Sequence, residues 1–147
     1  MPTRSARTAW TGGLTDGSGK VELTSSGAGT FDVDFPRRAA DDADGTTSPE
    51  ELVAAAHSAC YAMSLSNLVA EAGATVHALD VSADVTLGAD KEAGGFKLTG
   101  ITLTVRGEVE GLDEAGFQDA AEKAKAGCPI SKALAAVDIT LDAALEG

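Results

Sequence analysis

Residues 48–73 read SPEELVAAAHSACYAMSLSNLVAEAG, and this stretch decides the fold because both of its ends carry helix-end signals. Ser48 is a residue type that caps helix N-termini, Pro49 suits the first helical position, and Glu51 completes a capping box with Ser48. Gly73 supplies the left-handed residue that commonly ends a helix. The sequence therefore predicts one long helix over 48–73.

The apolar residues of this helix recur at three- and four-residue steps, which is typical of a helix with a broad buried face. They are Leu52, Ala55, Ala56, Ala59, Cys60, Met63, Leu65, Leu68 and Val69. Cys60 lies in the middle of the stripe, where a small apolar residue would pack equally well. Its thiol is therefore a candidate for chemistry.

Length, composition and charge narrow the class of protein. A chain of 147 residues is expected to form one domain, 1–147, with a core of its own. Its 23 acidic and 11 basic residues give a net charge of −12, which disfavours nucleic acid and anionic membranes as partners. No apolar run approaches about 18 residues, so we expect no membrane-spanning helix. The N-terminal residues lack the apolar core of a signal peptide, which favours a cytoplasmic protein.

The segment before the long helix predicts an antiparallel meander of three strands. Residues 3–11 alternate in the manner of a strand, and further alternating runs lie around Val21 and between Phe31 and Phe35. Pro36 ends the third run, and two arginines follow it at once.

The segment after the long helix predicts two strands, two helices and a final strand. The two strands reverse direction near 91–95, and a β-bulge is expected at Gly100, where the apolar alternation changes phase. Asp113 is expected to cap a helix that ends near Gly127, after which a short helix begins at Pro129. The order β-β-β-α-β-β-α-α-β is an α+β pattern.

The second cysteine, Cys128, directly precedes Pro129 and is predicted to lie at a helix N-terminus. Backbone N–H groups and the helix dipole at such a position favour a thiolate. Lys125 and Lys132 are close in sequence and are candidates for further stabilisation. For this position taken alone, a buried cysteine without chemistry is an equally good interpretation.

Cys60 has no cation within a turn on its own helix, and burial among alanines raises the pKa of a thiol. Periodicity alone therefore favours a core cysteine, and a reactive Cys60 needs a cation from elsewhere, with Arg37 and Arg38 as candidates. His57, three residues earlier, permits a base–nucleophile pair or a metal ligand, but packing is the simpler interpretation. We expect no metal site and no cofactor, and we expect His77 to pack within its strand.

Two longer motifs resemble one family. Residues 47–65, TSPEELVAAAHSACYAMSL, and residues 123–134, KAKAGCPISKAL, closely resemble the OsmC/Ohr family of thiol peroxidases. The first motif is similar to the family's helix with the peroxidatic cysteine, and the second is similar to its resolving-cysteine motif. Ile130 stands where the Ohr (organic hydroperoxide resistance) branch usually has an aromatic residue. It therefore favours the OsmC (osmotically inducible protein C) branch.

The resemblance implies roles for four residues. Cys60 corresponds to the peroxidatic thiol, Cys128 to the resolving thiol, and Glu50 to the family's glutamate beside the helix-start proline. Arg38 corresponds to the family's arginine, three positions after a strand phenylalanine, although the adjacent Arg37 is the alternative. The implied fold is an OsmC-like α+β fold that forms an intertwined homodimer, in which sheets from both chains wrap two central helices.

The activity implied by the resemblance is reduction of organic hydroperoxides, and less preferentially hydrogen peroxide, to alcohols in oxidative or osmotic stress defence. Cys60, kept as a thiolate by Arg38, becomes a sulfenic acid, and Cys128 then forms a disulfide with it. A small dithiol or lipoyl-type reductant restores both thiols. Glu50 lies ten residues before Cys60, about 15 Å along a helix. Two antiparallel helices of a dimer would bring Glu50 of one chain to Cys60 of the other.

An apolar entrance is expected to favour organic hydroperoxides, with Phe35, Leu52, Tyr61, Met63 and Leu68 as its residues. Two rival interpretations remain at this stage. One is a non-catalytic module that binds an apolar ligand or a partner in the same groove. The other is a structural disulfide, which would resist mild thiols, whereas a catalytic disulfide is reduced easily.

Overall fold

The structure is a computed structural model that describes all of Met1–Gly147, and it confirms the α+β class. The chain forms two compact units, Met1–Leu52 and Val53–Gly147. The long helix, α2, starts in the first unit and continues in the second.

The first unit contains the predicted three-stranded antiparallel sheet, in the order β1-β2-β3. Its strands are β1 (Arg7–Thr11), β2 (Ser18–Glu22) and β3 (Thr30–Val33). The first strand begins four residues later than the predicted 3–11, and the third ends before Phe35.

A four-residue helix, α1 (Phe35–Arg38), follows β3 and was not predicted. Asp34 is its N-cap, since its carboxylate accepts a hydrogen bond from the Arg37 N–H at 2.7 Å. Pro36 was expected only to end the third strand, but it also occupies one of the first two helical positions, which proline tolerates. The helix fixes the backbone of the two arginines.

Helix α2 (Pro49–Glu71) confirms both predicted ends. The Ser48 hydroxyl accepts a hydrogen bond from the Glu51 N–H at 3.1 Å. The Glu51 carboxylate accepts from the Thr47 hydroxyl at 2.5 Å, which takes the place of the second bond of the capping box. At the other end Gly73 adopts a φ of 79°, and its N–H donates to the Ala70 carbonyl at 2.9 Å.

The second unit contains a sheet in the order β4-β5-β6, formed by β4 (Thr75–Ala89), β5 (Phe96–Glu110) and β6 (Ile139–Leu145). β4 is antiparallel to β5, whereas β6 is parallel to it. Parallel strands need a crossover, which is supplied by α3 (Glu114–Gly127) and α4 (Pro129–Ala133). Asp113 caps α3 as predicted, by accepting the Gly116 N–H at 2.8 Å.

Two β-bulges interrupt the pairing of β4 with β5. One leaves Thr99 unpaired, directly before the predicted position at Gly100. The other leaves His77 unpaired and reverses the alternation at the start of β4, so that His77 is exposed and contacts Glu110 at 3.2 Å. The prediction that His77 packs within its strand was therefore wrong.

The core of the second unit lies between α2, α3 and the sheet. From α2 it takes every fourth residue, Tyr61, Leu65 and Val69, with His57 one turn earlier and equally buried. Their partners are Leu103, Val105, Phe117, Ala120, Ala121, Ala124 and Ala143. The predicted broad stripe is only partly buried, because one side of it is exposed in the single chain: Ala55, Ala56, Ala59 and Met63.

Helix α2 is long and apolar enough, by length and composition alone, to cross a membrane, although no membrane-spanning helix was expected. The expectation counted uninterrupted apolar residues, whereas the mean hydropathy of α2 remains high across its serines. Of this stretch, 22% is buried within the chain. Tyr61, Leu65 and Val69 of the helix pack in the core of the second unit.

Candidate active site

Cys60 and Cys128, the two predicted reactive thiols, meet in the second unit. Both are free cysteines, and their Sγ atoms lie 3.1 Å apart and share a hydrogen bond. Cys60 lies on α2, while Cys128 is the residue between α3 and α4. Cys128 is fully buried and Cys60 is partly buried. A disulfide requires the two sulfurs to close to about 2.05 Å, which is a short movement from this position.

The two thiols have opposite pKa shifts. Burial raises the pKa of Cys60, the neighbouring Cys128 raises it further, and hydrogen bonds from Ile130 and Ser64 offset only part of the rise. Burial acts against the Cys128 thiolate too, but hydrogen bonds from the Ser131 N–H, the Cys60 thiol and the Ser131 hydroxyl outweigh it and lower the pKa of Cys128. Within this chain ionisation is therefore favoured at Cys128 over Cys60.

Arg38 and Glu50 form a forked ion pair in the first unit. Arg38 Nη2 lies 2.7 Å from Glu50 Oε1, and Arg38 Nε lies 3.2 and 3.1 Å from the two carboxylate oxygens. The hydrogen bond with Glu50 raises the pKa of Arg38. Burial opposes ionisation of Glu50, but the bond from Arg38 outweighs burial with the help of its other hydrogen bonds, and the pKa of Glu50 is lowered. Both groups are charged at neutral pH, and the fork fixes the guanidinium.

Arg37 makes a different pair from its neighbour. Its Nη2 lies 2.7 Å from the Asp44 carboxylate, and the two side chains are 43% and 64% exposed. The structure thus places Arg38, and not Arg37, against Glu50. The adjacent arginines provide a matched pair for substitution.

An apolar cavity of about 480 Å³ adjoins Arg38 within the first unit. Phe35 and Leu52, two of the expected entrance residues, contribute to its wall. The sequence did not single out the remaining apolar lining, which includes Trp10, Leu14, Val21 and Val33.

His57 is fully buried on α2, one turn before Cys60. Its Nε2 lies 2.7 Å from the Ser131 hydroxyl oxygen, while its Nδ1 is buried with no partner. Burial lowers the pKa of His57, so the ring is neutral at neutral pH. Ser131 in turn hydrogen-bonds Cys128, which connects the histidine to the thiol pair.

Comparison with known proteins assigns the family. A model of the family described as OsmC-like protein matches residues 41–142 of the 147. The chain belongs to the OsmC family. It is 41% identical over 133 residues to the peroxiredoxin OsmC of Escherichia coli (strain K12), with 90% of each chain covered.

Two solved structures share the OsmC fold of this chain. The organic hydroperoxide resistance protein OsmC from Legionella pneumophila is 29% identical, with a TM-score of 0.79 and 98% of both chains covered. The organic hydroperoxide resistance protein OhrB of Bacillus subtilis is 31% identical, with a TM-score of 0.75 and coverage of 95% of this chain and 97% of that one. The predicted family and OsmC-like fold are confirmed.

Two residues of this OsmC-family chain differ from their predicted roles. They are Tyr61, which was expected at an entrance, and His57, which was expected only to pack. Tyr61 was expected at an apolar entrance, but it is fully buried in the core, and its hydroxyl donates to the Ala121 carbonyl at 3.0 Å. The signal for His57 was its spacing. It lies three residues before Cys60, and Ser131 lies three residues after Cys128. No group of three or more histidine, cysteine or acidic side chains is arranged to hold a metal ion.

Proposed function

We propose that this protein is a cysteine-based peroxidase that reduces organic hydroperoxides at Cys60 and resolves the oxidised cysteine with Cys128. The observation that carries the proposal is the pair of free, hydrogen-bonded thiols 3.1 Å apart. Membership of the OsmC family supports the predicted class, a thiol peroxidase, as do relatives named peroxiredoxin and organic hydroperoxide resistance protein. We place this activity in the cytoplasm, in defence against oxidative or osmotic stress.

The proposed cycle has three steps. The Cys60 thiolate attacks the O–O bond of the hydroperoxide and takes the terminal hydroxyl group, so that Cys60 becomes a sulfenic acid. The alkoxide that leaves takes up a proton and becomes the alcohol. Cys128 attacks that sulfur, the S–O bond breaks, and water leaves as the disulfide forms. A small dithiol or lipoyl-type reductant then reduces the disulfide through a mixed disulfide and is itself oxidised.

The first step needs a cation beside Cys60, because burial raises the pKa of its thiol within the chain. Arg38 is the proposed cation, and Glu50 holds its guanidinium in place. Glu50 and Cys60 are ten residues apart on α2, which corresponds to about 15 Å along the axis. We therefore propose that Arg38 and Glu50 of one subunit serve Cys60 of the other in a homodimer with antiparallel central helices.

The exposed side of α2 supports a second copy of the chain as the partner. Ala55, Ala56, Ala59 and Met63 are exposed in the single chain, with Met63 73% exposed. Soluble proteins rarely leave a contiguous apolar patch in water. Three alanines let another helix approach closely, so two copies of α2 would cover each other's apolar side.

Mixing two inactive variants tests the composite site. Cys60→Ser and Arg38→Met proteins, each nearly inactive alone, are unfolded together and refolded to exchange subunits. Half of the dimers are then mixed, and each mixed dimer has one intact site if Arg38 acts across the interface. We expect about a quarter of wild-type peroxidase activity. A mixture as inactive as its components would contradict the composite site.

The apolar cavity beside Arg38 supports a preference for organic hydroperoxides. Burial of a cumyl-sized group is worth about 1.5–3 kcal/mol, so we expect kcat/KM for cumene hydroperoxide to exceed that for hydrogen peroxide by about ten- to hundredfold. Leu14→Ser, in the cavity wall, should reduce this ratio without lowering the rate with hydrogen peroxide. Equal kcat/KM values for the two peroxides in wild type would refute the preference.

A further inference from the structure

A buried polar chain of two side chains ends at Cys128. His57 Nε2 lies 2.7 Å from Ser131 Oγ. Hydrogen bonding by the hydroxyl and the backbone N–H of Ser131 lowers the pKa of Cys128. His57 and Cys128 are fully buried and Ser131 is 6% exposed. The proposed cycle uses neither His57 nor Ser131. Buried polar groups of this kind are costly to the folded state unless they are paired, so their presence here calls for an explanation.

The unpaired nitrogen of His57 sets the direction of these hydrogen bonds. Nδ1 is buried with no partner, and the ring is neutral, so one nitrogen carries the hydrogen. A buried N–H without an acceptor is rarer in proteins than an acceptor without a donor. The hydrogen therefore lies on Nε2 and is donated to Ser131 Oγ. Ser131 then directs its own hydroxyl hydrogen to the Cys128 sulfur.

We propose that His57 and Ser131 form a donor chain that holds Cys128 as a thiolate, ready to attack the sulfenic acid of Cys60. Neither residue contacts the peroxide, so both are positioning residues. The inference rests on the proposed function, in which Cys128 is the resolving thiol. It goes beyond that function in assigning the control of the second step to a histidine and a serine.

The step balances without a further reactant. The Cys128 thiolate attacks the Cys60 sulfur, the S–S bond forms and the S–O bond breaks. Cys128 is oxidised and the sulfenic sulfur is reduced. The departing hydroxide takes up the proton that Cys128 released when it ionised, and it leaves as water.

Few other titratable groups act on Cys128. On α2 these are Cys60, which contacts it, and Tyr61, whose hydroxyl donates to the Ala121 carbonyl. On α3, Lys125, a candidate from the sequence for stabilising Cys128, is paired with Glu122 at 3.0 Å. α4 carries Lys132.

Thiol titration tests the donor chain without peroxide. In a Cys60→Ser background Cys128 is the only thiol, and its ultraviolet thiolate absorbance can be followed against pH. Ser131→Ala should raise the pKa of Cys128, and Ser131→Thr, which keeps the hydroxyl, should leave it near its starting value. His57→Leu should raise the pKa of Cys128 less than Ser131→Ala does. His57→Gln, which keeps an N–H donor, should raise it less than His57→Leu. Titration curves that coincide for Ser131→Ala and its parent would overturn the proposal.

The rate of disulfide formation provides a second readout. Loss of one hydrogen bond to the thiolate lowers the thiolate fraction by about tenfold at pH values below the pKa of Cys128, and by less above it. A more basic thiolate is a better nucleophile and recovers about threefold of that loss. Below the pKa of Cys128, Ser131→Ala should therefore slow disulfide formation by about threefold. Above the raised pKa, the variant should form the disulfide faster than wild type does. The rate of sulfenic acid formation at Cys60 should not fall, because a less ionised Cys128 raises the pKa of Cys60 less.

The pH dependence separates this role from a structural one. A variant that only misplaces Cys128 would be slower at every pH, and that result would overturn the proposal. If the protein proves to have no peroxidase activity, the titration still reports whether His57 and Ser131 stabilise the thiolate. Failure of the proposed function and failure of this inference are thus distinguishable.

Discussion

Replacing Cys60 by serine is expected to lower kcat/KM for cumene hydroperoxide by about a thousandfold or more. A serine hydroxyl cannot attack the O–O bond, and it cannot accept the peroxide oxygen as a cysteine does when it forms a sulfenic acid. Peroxide consumption with an excess of dithiol measures this loss. The fold should survive the change, since Cys60 is partly exposed and serine is of similar size.

Cys128→Ser is the matched control for that experiment. It should still reduce one equivalent of peroxide in a single turnover, because Cys60 remains. Without a resolving thiol, however, turnover depends on attack by the external reductant on the sulfenic acid. Equal loss of the first turnover in both variants, or full activity in Cys60→Ser, would contradict the assignment of Cys60 as the attacking thiol.

Arg38→Met is expected to lower kcat/KM by about a hundredfold, the second largest effect. Removing the proposed cation leaves burial to raise the pKa of Cys60, and it removes a charge that stabilises the departing oxygen. Because the thiolate fraction falls when the pKa rises, the variant should regain activity as pH increases, over a range where wild type has already levelled off.

Arg37→Met is the control for Arg38→Met. The two arginines are adjacent on α1, but Arg37 pairs with exposed Asp44, whereas Arg38 is held by buried Glu50. We expect Arg37→Met to retain kcat/KM within about twofold, since exposed ion pairs contribute little. Stopped-flow oxidation of the two variants across pH measures both effects. Similar losses in both, or no loss in Arg38→Met, would exclude Arg38 as the cation.

Local signals made the helix ends predictable. Ser48 and Gly73 at α2 and Asp113 at α3 act through hydrogen bonds to residues within three positions, so the sequence contains all of the information. Where two local signals compete, the prediction fails. Pro36 suggested only a strand end, yet the carboxylate of Asp34 makes it part of a helix start.

The remaining features depend on contacts between distant parts of the chain. His57 hydrogen-bonds Ser131, 74 residues away in the sequence. Its spacing from Cys60 places it one turn from that thiol, but no local pattern predicts the contact with Ser131. The outward position of His77 results from a bulge that appears only when β4 is aligned with β5. Arg37 and Arg38 have the same chemistry. The family spacing favoured Arg38, but the sequence could not show that Arg38 contacts Glu50 while Arg37 contacts Asp44. The resemblance to a family, and not periodicity, predicted that Cys60 is more than a core residue.

In the proposed function Cys60 and Cys128 perform a two-thiol peroxidase cycle. Intact mass and free-thiol count, before and after one equivalent of cumene hydroperoxide, test it most directly when applied to wild type and Cys128→Ser. Wild type should lose both thiols and the mass of two hydrogens, while Cys128→Ser should gain the mass of one oxygen. If every thiol is retained and the mass is unchanged in both proteins, the two-thiol cycle is contradicted.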